Sequence, residues 1–246
     1  MIKGMLARLG LYQPVRNAYN RLFRPDAAAH RNRVRTYFSE FVGPGDLVFD
    51  IGANDGRYTG VFLELGGRVV AVEPNPSLAK TLHERYRLDI EEVAVGANPG
   101  SAELHLGSAD ILSTLSTEWM DIAREQHLSN QWSGETLTVD VSTLDLLIEK
   151  HGLPHYVKID VEGFEPDVLR GLSKQVPVIS FEVQGPALHM AAQCVESLEQ
   201  LGPYTYSVSP LDQHALATDW LDGPELLERL PELVGERHGD VFARLA

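Results

Sequence analysis

The stretch Val48-Phe-Asp-Ile-Gly-Ala-Asn-Asp-Gly-Arg-Tyr-Thr59 decides the fold. It reads as a buried strand, Asp46 to Ile51, that runs into a turn bracketed by Gly52 and Gly56 and then into a helix. Glycine lets the backbone approach a ligand closely, and the helix that follows offers unpaired N–H groups. Alone, such a turn is a weak signal, because many strand–helix turns only pack. Two carboxylates sharpen it. Asp50 stands immediately before the loop, where it would repel a pyrophosphate but accept hydrogen bonds from a cationic group. Glu73 ends the next apolar run, 23 residues after Asp50, where an acidic side chain takes both hydroxyls of an adenosine ribose. The alternative for Glu73 is a turn cap through Glu73-Pro74-Asn75-Pro76. A ligand with a ribose and an ammonium group, and no phosphate, matches S-adenosylmethionine better than a nicotinamide dinucleotide.

Arg68–Val72, Val93–Val95, Tyr156–Ile159, Val176–Val183 and Tyr204–Val208 read as further strands. Helical stretches lie between them at Ser77–Arg85, Pro166–Leu172 and Leu188–Leu201. Strands alternating with helices imply parallel pairing through right-handed crossovers, hence an α/β fold with a doubly wound, mostly parallel sheet. Ala102–Leu106 and Thr136–Val141 break the rhythm, alternating apolar and polar residues as half-exposed antiparallel strands do. The intervening Gly107–Gly134 holds a helical segment, Thr117–Glu125, with Ser116 as its cap. This insertion, about residues 102–141, is expected to form a lid or substrate-facing flap.

Asp50-Ile-Gly-Ala-Asn-Asp-Gly56, Val72-Glu-Pro-Asn-Pro76 and Val157-Lys-Ile-Asp-Val-Glu-Gly-Phe-Glu165 together resemble the FkbM family of S-adenosylmethionine-dependent methyltransferases. Ala94-Val-Gly96, Thr143-Leu-Asp-Leu-Leu147 and Ile179–Val183, containing Glu182, match in the same order, so the resemblance runs from Gly43 to Glu182. It implies a class I, Rossmann-like fold that transfers a methyl group, most often to oxygen, and releases S-adenosylhomocysteine. By motif matching, Gly52, Ala53, Asn54 and Gly56 surround the methionine part, with Asp50 near its amino group and Tyr58 and Thr59 at the loop's exit. Glu73 and Pro74 take the ribose, and Ala94 and Val95 lie along the adenine. Ala97 stands where a polar residue often follows, so the adenine contact is left to backbone or to a loop residue such as Asp110.

In an open α/β sheet the ligand sits at the switch in strand order, here between the Asp50 and Asp160 strands. Asp160 is therefore expected near the transferring methyl, and Asp160, Glu162 and Glu182 are the candidates for the general base a hydroxyl acceptor needs. Their structural alternative is an ion-pair network at the strand ends. A divalent cation held by such carboxylates is a further alternative without a supporting motif, and no metal ligand is assigned. His155, His189 and His214 have no motif around them and read as surface or satisfied histidines.

Charge places the remainder. Lys and Arg number 21 against 35 Asp and Glu, a net charge of −14 and pI of about 5.0, which argues against nucleic acid as a partner. Residues 1–35 nevertheless carry eight basic side chains and one acid. Ile2, Met5, Leu6 and Leu9, then Tyr19, Leu22 and Phe23, recur at helical spacing on either side of Pro14. The expected organisation is a basic helical arm, 1–35, ahead of a methyltransferase domain, 36–246. The arm is expected to pack on the acidic body or on a partner subunit of a homo-oligomer. Peripheral contact with an anionic membrane is the sharper alternative. Cys194 is the single cysteine, so no intrachain disulfide exists and the residue reads as a buried small hydrophobe. No apolar run reaches the roughly 18 residues of a span, and no continuous h-region opens the chain, so the cytoplasm is the default compartment. The acceptor is expected to be a small molecule or glycan. The competing readings are an N-methyltransferase of the same fold and a non-catalytic cofactor-binding scaffold.

Overall fold

The computed structural model describes residues 25–107, 113–125 and 132–246. The expected arm helices between Ile2 and Phe23, and Asp110, lie outside the described residues. In chain order the first half comprises α1 (Pro25–Phe38), β1 (Leu47–Ile51), α2 (Arg57–Glu64), β2 (Arg68–Val72), α3 (Pro76–Tyr86), β3 (Ile90–Glu91), β4 (Ala94–Val95) and β5 (Gly100–Gly107). It continues with α4 (Thr117–Glu125), β6 (Trp132–Ser142), α5 (Leu144–His151), β7 (Tyr156–Ile159), α6 (Glu165–Arg170) and β8 (Val178–Gln184). The last elements are α7 (Leu188–Leu201), β9 (Tyr204–Pro210), α8 (Gly223–Val234) and β10 (His238–Leu245).

The main sheet has the order β3-β2-β1-β7-β8-β10-β9. β1 pairs in parallel with both β2 and β7, so the chain leaves β1 in one direction and returns to its other side at β7. That reversal opens the crevice expected between Asp50 and Asp160. β10 runs antiparallel between β8 and β9. Helices cover both faces. On one, α5, α6, α7 and α8 contribute Leu144, Val168, Leu198 and Leu226 to a core shared with Phe49, Ile159 and Phe181. On the other, α1 and α2 supply Val34, Phe38 and Phe62 against Val48, Tyr156 and Phe242. Burial of this apolar surface from both sides is what lets β1, β7 and β8 carry mostly Val, Ile, Leu and aromatic residues, with Asp50, Lys158, Ser180, Glu182 and Gln184 as the polar exceptions.

Local signals set the boundaries. Asn75 caps α3 by accepting a hydrogen bond from the Ser77 amide (3.0 Å), and Pro76 occupies the first turn, where its missing N–H costs nothing. Ser116 caps α4 by accepting from the Trp119 amide (3.0 Å). Thr143 and Asp222 do the same for α5 and α8.

Three departures from the sequence expectation stand out. The third strand divides: Ile90–Glu91 joins β2 in the main sheet, while Ala94–Val95 pairs with β6 in a three-stranded sheet of order β4-β6-β5. The α8–β10 pair was not foreseen, because Pro231 interrupts the helical pattern and His238-Gly-Asp opens the strand with polar residues. The charge boundary at residue 35 falls inside α1, whose Val34, Tyr37 and Phe38 are buried and whose Arg31 pairs with Glu64 (2.8 Å). The antiparallel β5–β6 pair forms as expected, Ala102 facing Val139 and Leu104 facing Leu137. Among the described residues no helix is long and apolar enough to cross a membrane.

Candidate functional site

The loop after β1 is shaped by backbone contacts. The amides of Gly52 and Ala53 both donate to the Val72 carbonyl (3.0 Å each), pulling the loop across the end of β2. Gly52 has φ +77°, and a Cβ there would collide with the Asp160 carbonyl. The ends of β1 and β7 thus meet backbone to backbone, which only glycine permits. Asn54 is also left-handed (φ 49°). Its amide donates to Glu73 Oε2 (2.8 Å), and the Asn75 amide donates to Glu73 Oε1 (2.9 Å). Glu73, 4% exposed, therefore does cap its own turn while a second lone pair on each oxygen remains for a diol. Burial pushes its carboxyl up to about 7 despite both amides.

This loop forms one wall of a cavity of about 370 Å³, a size suited to a small-molecule ligand. Val93, Ala94, Val95, Leu104, Leu115 and Phe164 give one end an apolar lining. The tips of β7, β8 and β10 add Asp160, Glu162, Glu182 and Asp240 to the lining. Carboxylate oxygens of Asp160, Glu162 and Glu182 all lie within 4.8 Å of one another. Beneath them sits the Lys158 ammonium, 2% exposed, 2.6 Å from Asp160 Oδ2 and 4.4 Å from the centre of the Tyr58 ring. Burial pulls the Lys158 pKa down, but Asp160, Asp240, Tyr58 and Asp50 together hold it well above its ordinary value. Burial, then Asp160 and Glu165, pushes Glu162 up to about 8. Glu182 rises well above the usual carboxylate range through burial and the fields of Asp160 and Glu162. Burial and mutual repulsion thus favour the protonated forms of Glu162 and Glu182 beside the charged lysine.

A sequence model of the methyltransferase FkbM domain matches residues 50–214. The chain belongs to that family. No curated protein matches it. Among solved structures it is similar to a precorrin-6y C5,15-methyltransferase from Geobacter metallireducens, at 14% identity, covering 87% of this chain and 86% of that one with a TM-score of 0.44. It is also similar to a TehB-like SAM-dependent methyltransferase from Corynebacterium glutamicum, at 12% identity, covering 95% and 100% with a TM-score of 0.47.

As an FkbM methyltransferase the protein uses S-adenosylmethionine, and the residues present fit it. Glu73 offers two acceptor oxygens for a ribose diol, the Gly52–Asn54 backbone leaves room beside them, and Ala94 and Val95 lie on the apolar wall an adenine requires. Ala53, Asn54, Tyr58, Pro74, Asp160, Glu162 and Glu182 also line the cavity. Asp50, Gly56 and Thr59 are not on that wall. Asp50, 2% exposed, lies beneath the loop and accepts a 2.5 Å hydrogen bond from the Thr59 hydroxyl. Burial raises its pKa, with Lys158 and Thr59 opposing. Asp50 thus acts as a buried anchor that ties α2 to β1. Gly56 starts α2 with φ 78°, and its carbonyl accepts from the Tyr86 hydroxyl (2.7 Å).

Sequence reasoning missed Lys158, although it stands inside the quoted motif, and missed Asp240 and His238, whose strand it had not found. It also gave no role to Glu165. That buried carboxylate accepts from the amides of Val161 (3.0 Å) and Gly163 (3.3 Å) and so clamps the turn carrying Asp160 and Glu162.

Proposed function

We propose that this methyltransferase acts on a hydroxyl group of a small-molecule or glycan acceptor such as a sugar, glycolipid or natural product. The supporting observation is the convergence of Asp160, Glu162 and Glu182 on the cavity. Bound S-adenosylmethionine supplies an electrophilic methyl group. The acceptor oxygen has to be aligned with that group and relieved of its proton. Asp160 is the proposed base. Lys158 occupies its Oδ2, and among the described residues its Oδ1 accepts no hydrogen bond, which leaves that oxygen for an acceptor hydroxyl. Glu162 and Glu182, whose protonated forms burial favours, orient the acceptor by hydrogen bonds to its other oxygens. An amine acceptor would use the same base, and the methylated product tells the two apart. The basic residues 1–24 are proposed to hold the acidic body against a partner subunit or, for a lipid-linked acceptor, an anionic membrane.

Incubation with methyl-labelled S-adenosylmethionine and panels of hydroxylated glycans and amines tests this reading. The label is expected in a methyl ether, carried on a former hydroxyl oxygen, and Asp160→Asn is expected to lower turnover about 10²- to 10⁴-fold with little change in S-adenosylhomocysteine affinity. Turnover of Asp160→Asn near the wild-type rate would refute the base assignment.

A further inference from the structure

We infer that Thr114 is a positioning residue that links the cofactor wall of the cavity to the turn carrying Asp160 and Glu162, so that cofactor binding fixes this turn for the acceptor. The inference rests on the proposed role of those carboxylates. Thr114 is 1% exposed. Its backbone pairs with His105 of β5 in both directions (2.9 and 3.1 Å). Its neighbours Ser113 and Leu115 line the cavity beside Leu104. Its hydroxyl donates to the Glu162 carbonyl (2.7 Å) and accepts from the Ser116 amide (2.9 Å), the residue that caps α4.

That one carbonyl controls the turn. Glu162 has φ 54° and Gly163 φ 85°, a left-handed pair in which the first residue bears a side chain. The peptide plane between them is gripped at both ends by different elements. Glu165 of α6 holds its N–H, in a long 3.3 Å bond, and Thr114 of the flap holds its C=O. Trp119 of α4 closes the space beside it, since a Cβ on Gly163 would meet the Trp119 Cβ at 2.6 Å. Without the Thr114 hydroxyl, the 3.3 Å bond and the Trp119 contact are left to hold this peptide, and the Glu162 carbonyl loses its hydrogen bond to the flap. A cofactor pressed against Ser113 and Leu115 therefore braces the Glu162 carbonyl through a single intervening residue.

Amide hydrogen exchange, with S-adenosylhomocysteine as the probe, tests the link. In the wild-type protein the probe is expected to slow exchange at Asn54, Ser116 and Gly163 with one shared midpoint. In Thr114→Val the slowing at Gly163 is expected to fall about tenfold while that at Asn54 stays, and Thr114→Ser, which keeps the hydroxyl, is expected to restore it. Unchanged protection of Gly163 in Thr114→Val, or failure of Thr114→Ser to restore a lost protection, would overturn the inference. Should Thr114→Val not fold, the wild-type protein decides: slowing at Asn54 with none at Gly163 refutes the link. No protection at Asn54 would overturn the cofactor placement and the inference with it. The Asp160→Asn turnover experiment tests the underlying base assignment separately.

Discussion

At the loop end of the cavity, Gly52, Ala53 and Asn54 are fixed by backbone amides that donate to Val72 and Glu73. At the tips of β7, β8 and β10, Asp160, Glu162, Glu182 and Asp240 converge from three strands near the buried ammonium of Lys158. The first end is set by the path of the main chain, so its tolerance is measured in ångströms. The second is set by competing fields among side chains, so its tolerance is measured in protons. Substitutions should therefore fail differently at the two ends, sterically at one and electrostatically at the other.

The sharpest break is expected at Gly52. Gly52→Ala places a methyl group against the Asp160 carbonyl at a left-handed position, which should cost about 2–4 kcal/mol of stability and abolish S-adenosylhomocysteine binding. Thermal unfolding and calorimetry check both, and a variant that binds normally would show that the strand ends are not in contact. Glu73→Ala comes next. It leaves the amides of Asn54 and Asn75 without their acceptor and removes the diol partner, for an expected affinity loss of about 10- to 100-fold. A calorimetric Kd equal to the wild type would confine Glu73 to its turn.

The smallest effect concerns the carboxylate end. A carboxyl raised from 4.5 to about 8 binds more protons folded than unfolded between those values, so its contribution to stability is full below pH 4.5 and lost as pH rises through about 8. Glu73 and Glu165, each raised to about 7, slope in the same direction. Glu162→Gln should make the fall in Tm over this window shallower without removing it. An unchanged slope would mean that Glu162 titrates as it does in the unfolded chain.

This division also explains what the sequence disclosed. Main-chain requirements leave residue types behind: Gly52 and Gly56 at left-handed positions, Pro76 in a first turn, and alternating residues along β5 and β6 are all visible in the chain. Glu73 was legible because its distance from Asp50 is fixed by one helix and one strand. Fields leave no such trace. Lys158 was in view as part of the strand Tyr-Val-Lys-Ile, yet its importance depends on Asp240, 82 residues later and on a strand whose opening reads as a loop. The orientation of Asp50 is hidden for a complementary reason. Its place before the loop was clear, but that the strand end turns its carboxylate inward to Thr59 depends on how α2 packs.

Helix α1 has a practical consequence for dissecting the protein. A basic leader invites removal at the point where the charge changes, yet a cut after Arg35 would strip Val34 from the sheet's second face and the Arg31 partner from Glu64. It would also take away His30, whose ring nitrogen lies 3.0 Å from the Arg57 guanidinium at the cavity. Loss of activity in such a truncation would report a torn core. A cut before Pro25 spares the whole helix and isolates what the leader itself contributes.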